Sequence, residues 1–315
     1  MGLEFQIIAA FLLDQLIGDP PFLPHPVRMM GRLAIFLENI CRKLSTNEKT
    51  AGVLTTFLVL IICGLTAWAL LDAAGRLHPL AYEVAVIYLL YTTIATRDLV
   101  RHSKKVYLSL TNHDLPQARR DVAMIVGRDT AQLDEQGVAR AAVESVAESM
   151  VDGVTAPLFY ALLGGPIAAL IYKAINTGDS MFGYKNEKYH NFGWAPARLD
   201  DLANFIPARI TGLLVPVAAL ITRLDWQESW RILRRDRLNH ASPNSAHPEA
   251  AIAGALNIQL GGRNYYFGQP VNKPSIGDPH TMVTSRQIIL ANRLMMITVI
   301  IFLTIFSGIG MLIRG

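Results

Sequence analysis

The chain has 315 residues, of which 51% are hydrophobic and only 17% charged, and its mean hydropathy is +0.30. A soluble domain carries about 25% charged residues, so the apolar surplus points to lipid and excludes an ordinary soluble domain. The net charge of +4 is mild, and the two cysteines, Cys41 and Cys63, fit neither a metal site nor a disulfide framework.

The N-terminal stretch 3–17 is apolar but short and carries Asp14. It lacks a basic leader and a small-residue cleavage site, so it does not read as a signal peptide. The loop that follows, GDPPFLPHPVRMMGR, has prolines at 20, 21, 24 and 26. These predict a rigid, extended segment that fixes Asp19, His25 and Arg28 in place. Residues 51–71 contain no charge over 21 residues and predict a spanning helix. Residues 80–95 carry only Glu83, and the short link DAAGRLHP makes the two a helical hairpin.

Segment 96–153 is polar, and its part 114–153 has helical apolar spacing, which predicts two cytoplasmic helices feeding into the next apolar segment. Asp129 or Thr130 is expected as an N-cap, with Gln132, Asp134 and Glu135 in the first turn, and Gly153 and Pro157 as the end of the helix. Within VARAAVESVAESMVDGVTAP (138–157), Glu144, Glu148 and Asp152 are spaced by four, which stacks them on one helix face with a drift of about 40° per step. The plain structural reading is a solvated face with Arg140 and Glu144 as an i,i+4 pair. Against it, Glu148 and Asp152 have no basic residue one turn away, and the opposite face is Ala, Val and Met. Clustered acids in a packed setting need a proton or a cation, and hard oxygen ligands favour Mg²⁺ carried in with phosphates.

Residues 154–176 are apolar but broken by Gly164, Gly165 and Pro166, and 205–221 contains Pro207, Arg209 and Pro216. Between them, KAINTGDSMFGYKNEKYHNFGWAPARLDD gathers Asn176, Asp179, Lys185, Lys188, Arg198, Asp200 and Asp201 among aromatics and glycines. Residues 176–179 resemble a cap or turn, but the whole stretch suits a phosphate-and-metal site. No GxxxxGK[ST] occurs, which excludes a P-loop. Segment 238–279 is rich in Asn, Ser, Gly and Tyr, including Asn244, His247, Arg263 and Tyr265. It suits a large polar ligand rather than nucleic acid, which would require clustered Lys and Arg. Residues 288–313 form a last span with Arg293 near its start.

Segments 96–153 and 222–287 hold eight Lys/Arg each, 18–50 holds five, and the link 72–79 holds one. The positive-inside rule places the three polar segments in the cytoplasm. The expected fold is an all-α polytopic membrane protein forming one membrane-embedded domain over 1–315. It has cytoplasmic helical segments and broken or re-entrant membrane helices, the candidate membrane segments being 3–17, 51–71, 80–95, 154–176, 205–221 and 288–313. If 154–176 and 205–221 are both re-entrant, clusters 144–152 and 177–201 face each other on the cytoplasmic side.

Five stretches carry a resemblance: GDPPFLPHPVRMMGR, VGRDT, AAVESVAESMVDGVTAPLFYALLGGP, NTGDSMFGYKNEKY and SPNSAHPEAAIAGAL. Over about residues 10–285 the chain resembles the adenosylcobinamide-phosphate synthase family, membrane enzymes of cobalamin biosynthesis. The resemblance implies an enzyme of the bacterial cytoplasmic (inner) membrane, multi-pass, with its active site facing the cytoplasm. It implies ATP- and Mg²⁺-dependent amide formation between adenosylcobyric acid and (R)-1-aminopropan-2-ol or its O-phosphate; since a carboxylate does not condense with an amine unaided, the chemistry of that reaction points to an acyl phosphate. Its implied partners are the corrinoid, the amino alcohol, the lipid bilayer and other cobalamin-assembly enzymes at the membrane.

The chemistry of that reaction suggests the roles. Glu144, Glu148, Asp152 and Asp179 would hold Mg²⁺, and His25 or one of the acids would take the ammonium proton. Arg128, Lys185, Asn176 and Arg198 would bind nucleotide phosphates. Asp19, Arg28, Asn244, His247, Arg263 and Tyr265 would meet the substrate. An ion-coupled transporter is the alternative, since intramembrane acids and broken helices suit it as well.

Overall fold

The structure is a computed structural model of the chain. It describes all residues except 21–24, 185, 267 and 315, and all their side chains except those of 313 and 314. In chain order the elements are α1 (Leu3–Ile17), α2 (Pro26–Leu44), α3 (Glu48–Leu77), α4 (Pro79–Tyr91), α5 (Thr96–Thr111), α6 (Leu115–Ala123) and α7 (Glu135–Met150). A π-helical turn (Val151–Thr155) follows, then α8 (Ala156–Phe182), α9 (Trp194–Ala203), α10 (Phe205–Ile221), α11 (Trp226–Asp236) and α12 (Ala246–Leu256). The chain ends with β1 (Leu260–Tyr266), β2 (Gln269–Ile276) and α13 (Ser285–Arg314).

The helical expectation holds, and the antiparallel β1–β2 hairpin is the addition to it. Among the described residues, four helical stretches are long and apolar enough to cross a membrane: Glu48–Leu77, Pro79–Thr111, Glu135–Phe182 and Ser285–Leu312. A fifth arises if the consecutive helices α9 and α10 count as one broken span. The chain is a multi-pass membrane protein. On α3, Leu54, Phe57, Ile61, Leu65 and Trp68 are exposed, an apolar surface of the kind that lipid covers.

Two compact units emerge. The first comprises 1–95, 152–204 and 306–315, and the second 96–151 and 205–305. In the first, α3 packs on α2, α4, α8 and α9. The predicted hairpin is present: a single residue, His78, separates α3 from α4, and its Nδ1 accepts the Leu80 N–H at 3.1 Å to cap α4. Helix α8 breaks where its sequence predicts. Gly164 (φ −145°, ψ 23°) and Gly165 (φ 64°, ψ −155°) leave helical geometry. Gly165 adopts a backbone open to glycine, and Pro166 has no N–H to miss across the break.

In the second unit α12 packs between α10 and α11 and touches α7 and β2. Its composition, AHPEAAIAGAL, makes this possible: a Cβ at Gly254 would lie 2.4 Å from the Glu228 carbonyl oxygen. The hairpin pairs Leu260 with Ile276 and Tyr266 with Gln269, with a bulge between Leu260 and Gly262. The buried Ser103 hydroxyl and Asn292 amide hydrogen-bond each other and tie α5 to α13.

Three local expectations are corrected. Asp134, not Asp129 or Thr130, caps α7, accepting the Gly137 N–H at 2.7 Å. Asp129 is diverted to the hairpin, where its carboxylate accepts the Gly268 N–H at 2.7 Å and its own N–H donates to the Tyr265 carbonyl. Gly153 and Pro157 end no helix. Gly153 lies in the π turn, and Pro157 sits at the start of α8, where a missing N–H costs nothing. Residues 176–179 are no turn but the last turns of α8, where the helix dipole favours cations over phosphate. The proline loop at 21–24 lies outside the described residues.

A Gly254→Ala substitution should lower the unfolding temperature of the detergent-solubilised protein by more than the usual overpacking cost of about 1–3 kcal/mol implies, because backbone must move. Gly308→Ala, where nothing lies within 4 Å of the added methyl, should be neutral or slightly stabilising.

Candidate functional site

The second unit holds a buried polar group around Glu144. This residue, 5% exposed, accepts a hydrogen bond from the Arg128 guanidinium through Oε2 and from the Gly261 N–H through Oε1 at 2.7 Å. Arg128, its side chain 6% exposed, also donates to Asn264 Oδ1, and Asn264 donates in turn to the Gly262 carbonyl. One ion pair thus joins α7, the VGRDT loop and β1. Glu144 pairs with Arg128, so the i,i+4 partner expected from sequence is displaced. Arg140 reaches the Arg263 carbonyl at 3.4 Å instead.

One turn further along α7, Glu148 is exposed. Ser245 donates to its Oε1 at 3.0 Å. Ser245 is the N-cap of α12, and four residues on Glu249 is buried. Burial, then the negative charges of Glu148 and Glu144, raise the Glu249 carboxyl well above the ordinary glutamate range, against the opposing pull of Lys273 and Arg128. The Lys273 ammonium lies 3.5 Å from His240 Nε2. Burial and that cation push His240 below its usual range and hold the imidazole neutral. Three carboxyls therefore face two cations, and a proton on Glu249 balances the charge. A cavity of about 410 Å³ opens beside Arg128, lined also by Thr130, Gln132, Tyr265 and Gly268.

Another face of the α12 start carries different chemistry. Asn244 Oδ1 accepts from Arg209 Nη1 at 3.4 Å. His247 is 6% exposed, and its Nε2 has no hydrogen-bond partner. Arg263 is exposed and stacks over the Tyr265 ring at 5.3 Å.

The first unit has its own polar group. The Asp152 carbonyl accepts from Lys173 Nζ at 3.3 Å and from Tyr172 OH at 3.4 Å. Asn176 and Asn204 each donate to Asp200, at 3.2 and 3.0 Å, and Tyr172 donates to Asn204 at 2.9 Å. His25 Nε2 lies 3.1 Å from Asp19 Oδ1, whereas Arg28 is exposed in the first turn of α2. Asp179 is half-buried, and its carbonyl accepts the Gly183 N–H. Arg198 is exposed and lies 3.9 Å from Asp201. Lys185 lies outside the described residues.

Comparison with known proteins decides the family. A family pattern described as "CobD/Cbib protein" matches residues 7–295. The cobalamin biosynthesis protein CobD of Geobacter metallireducens is 54% identical over 87% of this chain and 86% of its own. That of Leptospira interrogans is 47% identical over 96% and 97%. The cobalamin biosynthesis protein CbiB of Salmonella typhi is 44% identical over 94% of each chain. The chain belongs to the CobD/CbiB family. With it the protein takes its place in cobalamin biosynthesis. No solved structure matches the chain.

In this CobD/CbiB protein the sequence pattern singles out Arg128, Glu144 and Glu148, and the structure gathers Ser245, Glu249, His240, Asn264 and Lys273 with them. Glu249 was legible in part: HPE at the start of an otherwise apolar helix puts a carboxyl where little water can reach it. Lys273 and Asn264 depend on the hairpin, which the sequence reading did not contain. Among the described residues, the trio of possible metal ligands that converges within 4.8 Å is Glu228, Asp278 and His280. Arg235 and Arg231 already hold Asp278 there, keeping its carboxyl down at about 2, so the trio is part of an ion-pair network. Glu144, Glu148 and Glu249 do not converge that closely. They form no ready-made cage.

The buried Glu249 makes a signed prediction. Its folded-state pKa lies above the ordinary 4.5, so its contribution to stability is complete below that value and is lost as pH rises towards the folded pKa. Glu249→Gln should therefore be more stable than the parent at pH 7–8, with the difference closing as pH falls to about 4.5. Thermal unfolding across that range reads it.

Proposed function

We propose that the protein joins adenosylcobyric acid, through its free propionate, to (R)-1-aminopropan-2-ol or its O-phosphate in an ATP-dependent amide synthesis. The observation that carries this reading is the second unit's acidic group around Glu144, Glu148 and Glu249, joined through Glu144 to Arg128, which lines an open cavity. A carboxylate does not condense with an amine unaided. Transfer of the γ-phosphoryl group to a carboxylate oxygen releases ADP, and attack of the amine on the acyl carbon then expels inorganic phosphate. Little covalent help from the protein is needed; position and charge suffice.

The residues fit a magnesium nucleotide in a specific way. Mg²⁺ is bound by one or two carboxylates together with substrate phosphates rather than by an all-protein cage, which agrees with three acids that approach without converging. Glu144 commits both oxygens, to Arg128 and to the Gly261 N–H, so its part is to position Arg128. Glu148, exposed and bonded to Ser245, is the carboxylate open to the ion. When bound, the ion would neutralise phosphate charge. Arg128 faces the cavity, where it would meet phosphate oxygens, and Tyr265 offers a ring to stack on. Asn244, His247 and Arg263 belong to the segment that would meet the amide-fringed corrinoid.

On the chemistry of their side chains alone, we propose Asp152 and Asp179 as further metal ligands. His25, held by Asp19, is proposed as the acceptor of the ammonium proton. ATP supply places the reaction on the cytoplasmic face of the bacterial inner membrane. Membership of a biosynthetic family favours this enzyme over an ion-coupled carrier.

The test is product formation by purified protein in lipid nanodiscs. Amide product should require the corrinoid acid, the amino alcohol or its phosphate, ATP and Mg²⁺ together. Glu148→Gln should lower the rate by about 100-fold or more, the scale of removing a key electrostatic group, while the protein stays folded. No product with either amine would refute the reading, and a near-normal rate for Glu148→Gln at saturating Mg²⁺ would return that residue to a solvated face.

A further inference from the structure

The second unit contains positive charge with no counter-charge. Arg209 on α10 and Arg237, just past α11, act electrostatically on each other and both act on His247. Among the described residues no carboxylate makes an ion pair with either guanidinium. Arg209 instead donates to the Phe205 carbonyl at 2.7 Å, lies over the Phe205 ring and touches Asn244. Arg237 donates to the Arg234 carbonyl. His247, 94% of its surface removed from solvent, leaves Nε2 unsatisfied. A buried polar atom without a partner costs free energy, and two like charges near each other add to that cost. Both costs disappear when an anion binds.

The donor types narrow the anion. Arg209 touches Asn244 just before the eleven-residue helix α12, His247 lies in its first turn, and Arg237 acts on both Arg209 and His247 from the end of α11; the N-terminal dipole of α12 favours negative charge. Guanidinium forks match the oxygens of a phosphate, and two positive charges match a dianion better than a single carboxylate. We propose that Arg209, Arg237 and His247 form a binding site for the phosphoryl group of a phosphate ester.

The sequence of α12 connects this site to the acidic one. Asn244 bonds Arg209, while its neighbour Ser245 bonds Glu148. Residues 244 and 247 therefore serve the cationic side of the helix start, and 245 and 249 the acidic side. A small ester held by its phosphoryl group at the first would have its other end directed along the helix start towards the second. The site stands on its own geometry; only the source of the ester, an amino alcohol phosphate or a nucleotide, rests on the proposed reaction.

Equilibrium binding to the whole protein in neutral-lipid nanodiscs tests this without turnover. The probes are inorganic phosphate, (R)-1-aminopropan-2-ol O-phosphate, the unphosphorylated amino alcohol and ATP. The parent protein should bind the phosphorylated amino alcohol more tightly than the free one. Arg237→Gln and Arg209→Gln should each weaken binding of inorganic phosphate and of a phosphate ester by about tenfold or more, as loss of a charge-assisted hydrogen bond implies, and Arg237→Lys should recover part of it. Loss confined to the amino alcohol phosphate, or confined to ATP, identifies the source, and either supports the site. Unchanged affinity for every phosphate probe in both glutamine variants, with unfolding temperatures matching the parent, overturns it. Phosphate binding that depends on these arginines in a protein that forms no amide would refute the proposed reaction and leave the site standing.

Discussion

The second unit is organised by one buried ion pair. Glu144 takes its two hydrogen bonds from a side chain in one loop, Arg128, and from the backbone of β1 at Gly261. Arg128 carries the connection on to Asn264. Three segments distant in sequence are fixed by four groups, and none of those groups can be removed singly at small cost. Loss of either charged partner would leave the other buried and unpaired, a penalty of about 3–5 kcal/mol. The consequence for function is that the cavity beside Arg128 has a rigid wall. Its charge is held in one orientation before any ligand arrives, which is the condition under which electrostatic stabilisation is most effective.

Helix α12 turns that framework into a site. Its alanines and Gly254 let α10 and α11 approach closely, so the polar residues at its start are pressed between elements rather than left in solvent. Ser245 and Glu249, one turn apart, face carboxylates, and Asn244 and His247 face arginines. A short apolar helix with a polar first turn therefore separates an acid-rich environment from a cationic one. Such a separation suits a substrate that has an anionic group at one end and a reacting amine at the other.

The sequence disclosed the membrane character, the α3–α4 hairpin and the break in α8, because each depends on local rules: long uncharged runs, the short link DAAGRLHP, and Gly-Gly-Pro. It singled out Glu144 by its spacing, and Glu148 by its spacing and its missing basic partner. It misjudged the partner of Glu144, because Arg140 is one turn away in sequence while Arg128 arrives through tertiary folding. The cap at Asp129 failed for the same reason, since that carboxylate is claimed by Gly268 in the hairpin. The hairpin itself was hidden by glycines and prolines that interrupt strand alternation. Lys273 and Asn264 were hidden with it. Asp152 follows Glu148 by four residues, but a π-helical turn interrupts the α-helical register at that point, so spacing alone does not extend the stripe to it.

The central claim is that the acidic group of the second unit supports transfer of phosphoryl from ATP to a substrate carboxylate before the amine attacks. Oxygen-18 in the free carboxylate of the corrinoid acid tests it most directly. Activation as an acyl phosphate predicts that each turnover moves one labelled oxygen into inorganic phosphate, with the other retained in the amide. Inorganic phosphate that carries no label, while amide product accumulates, would contradict the account.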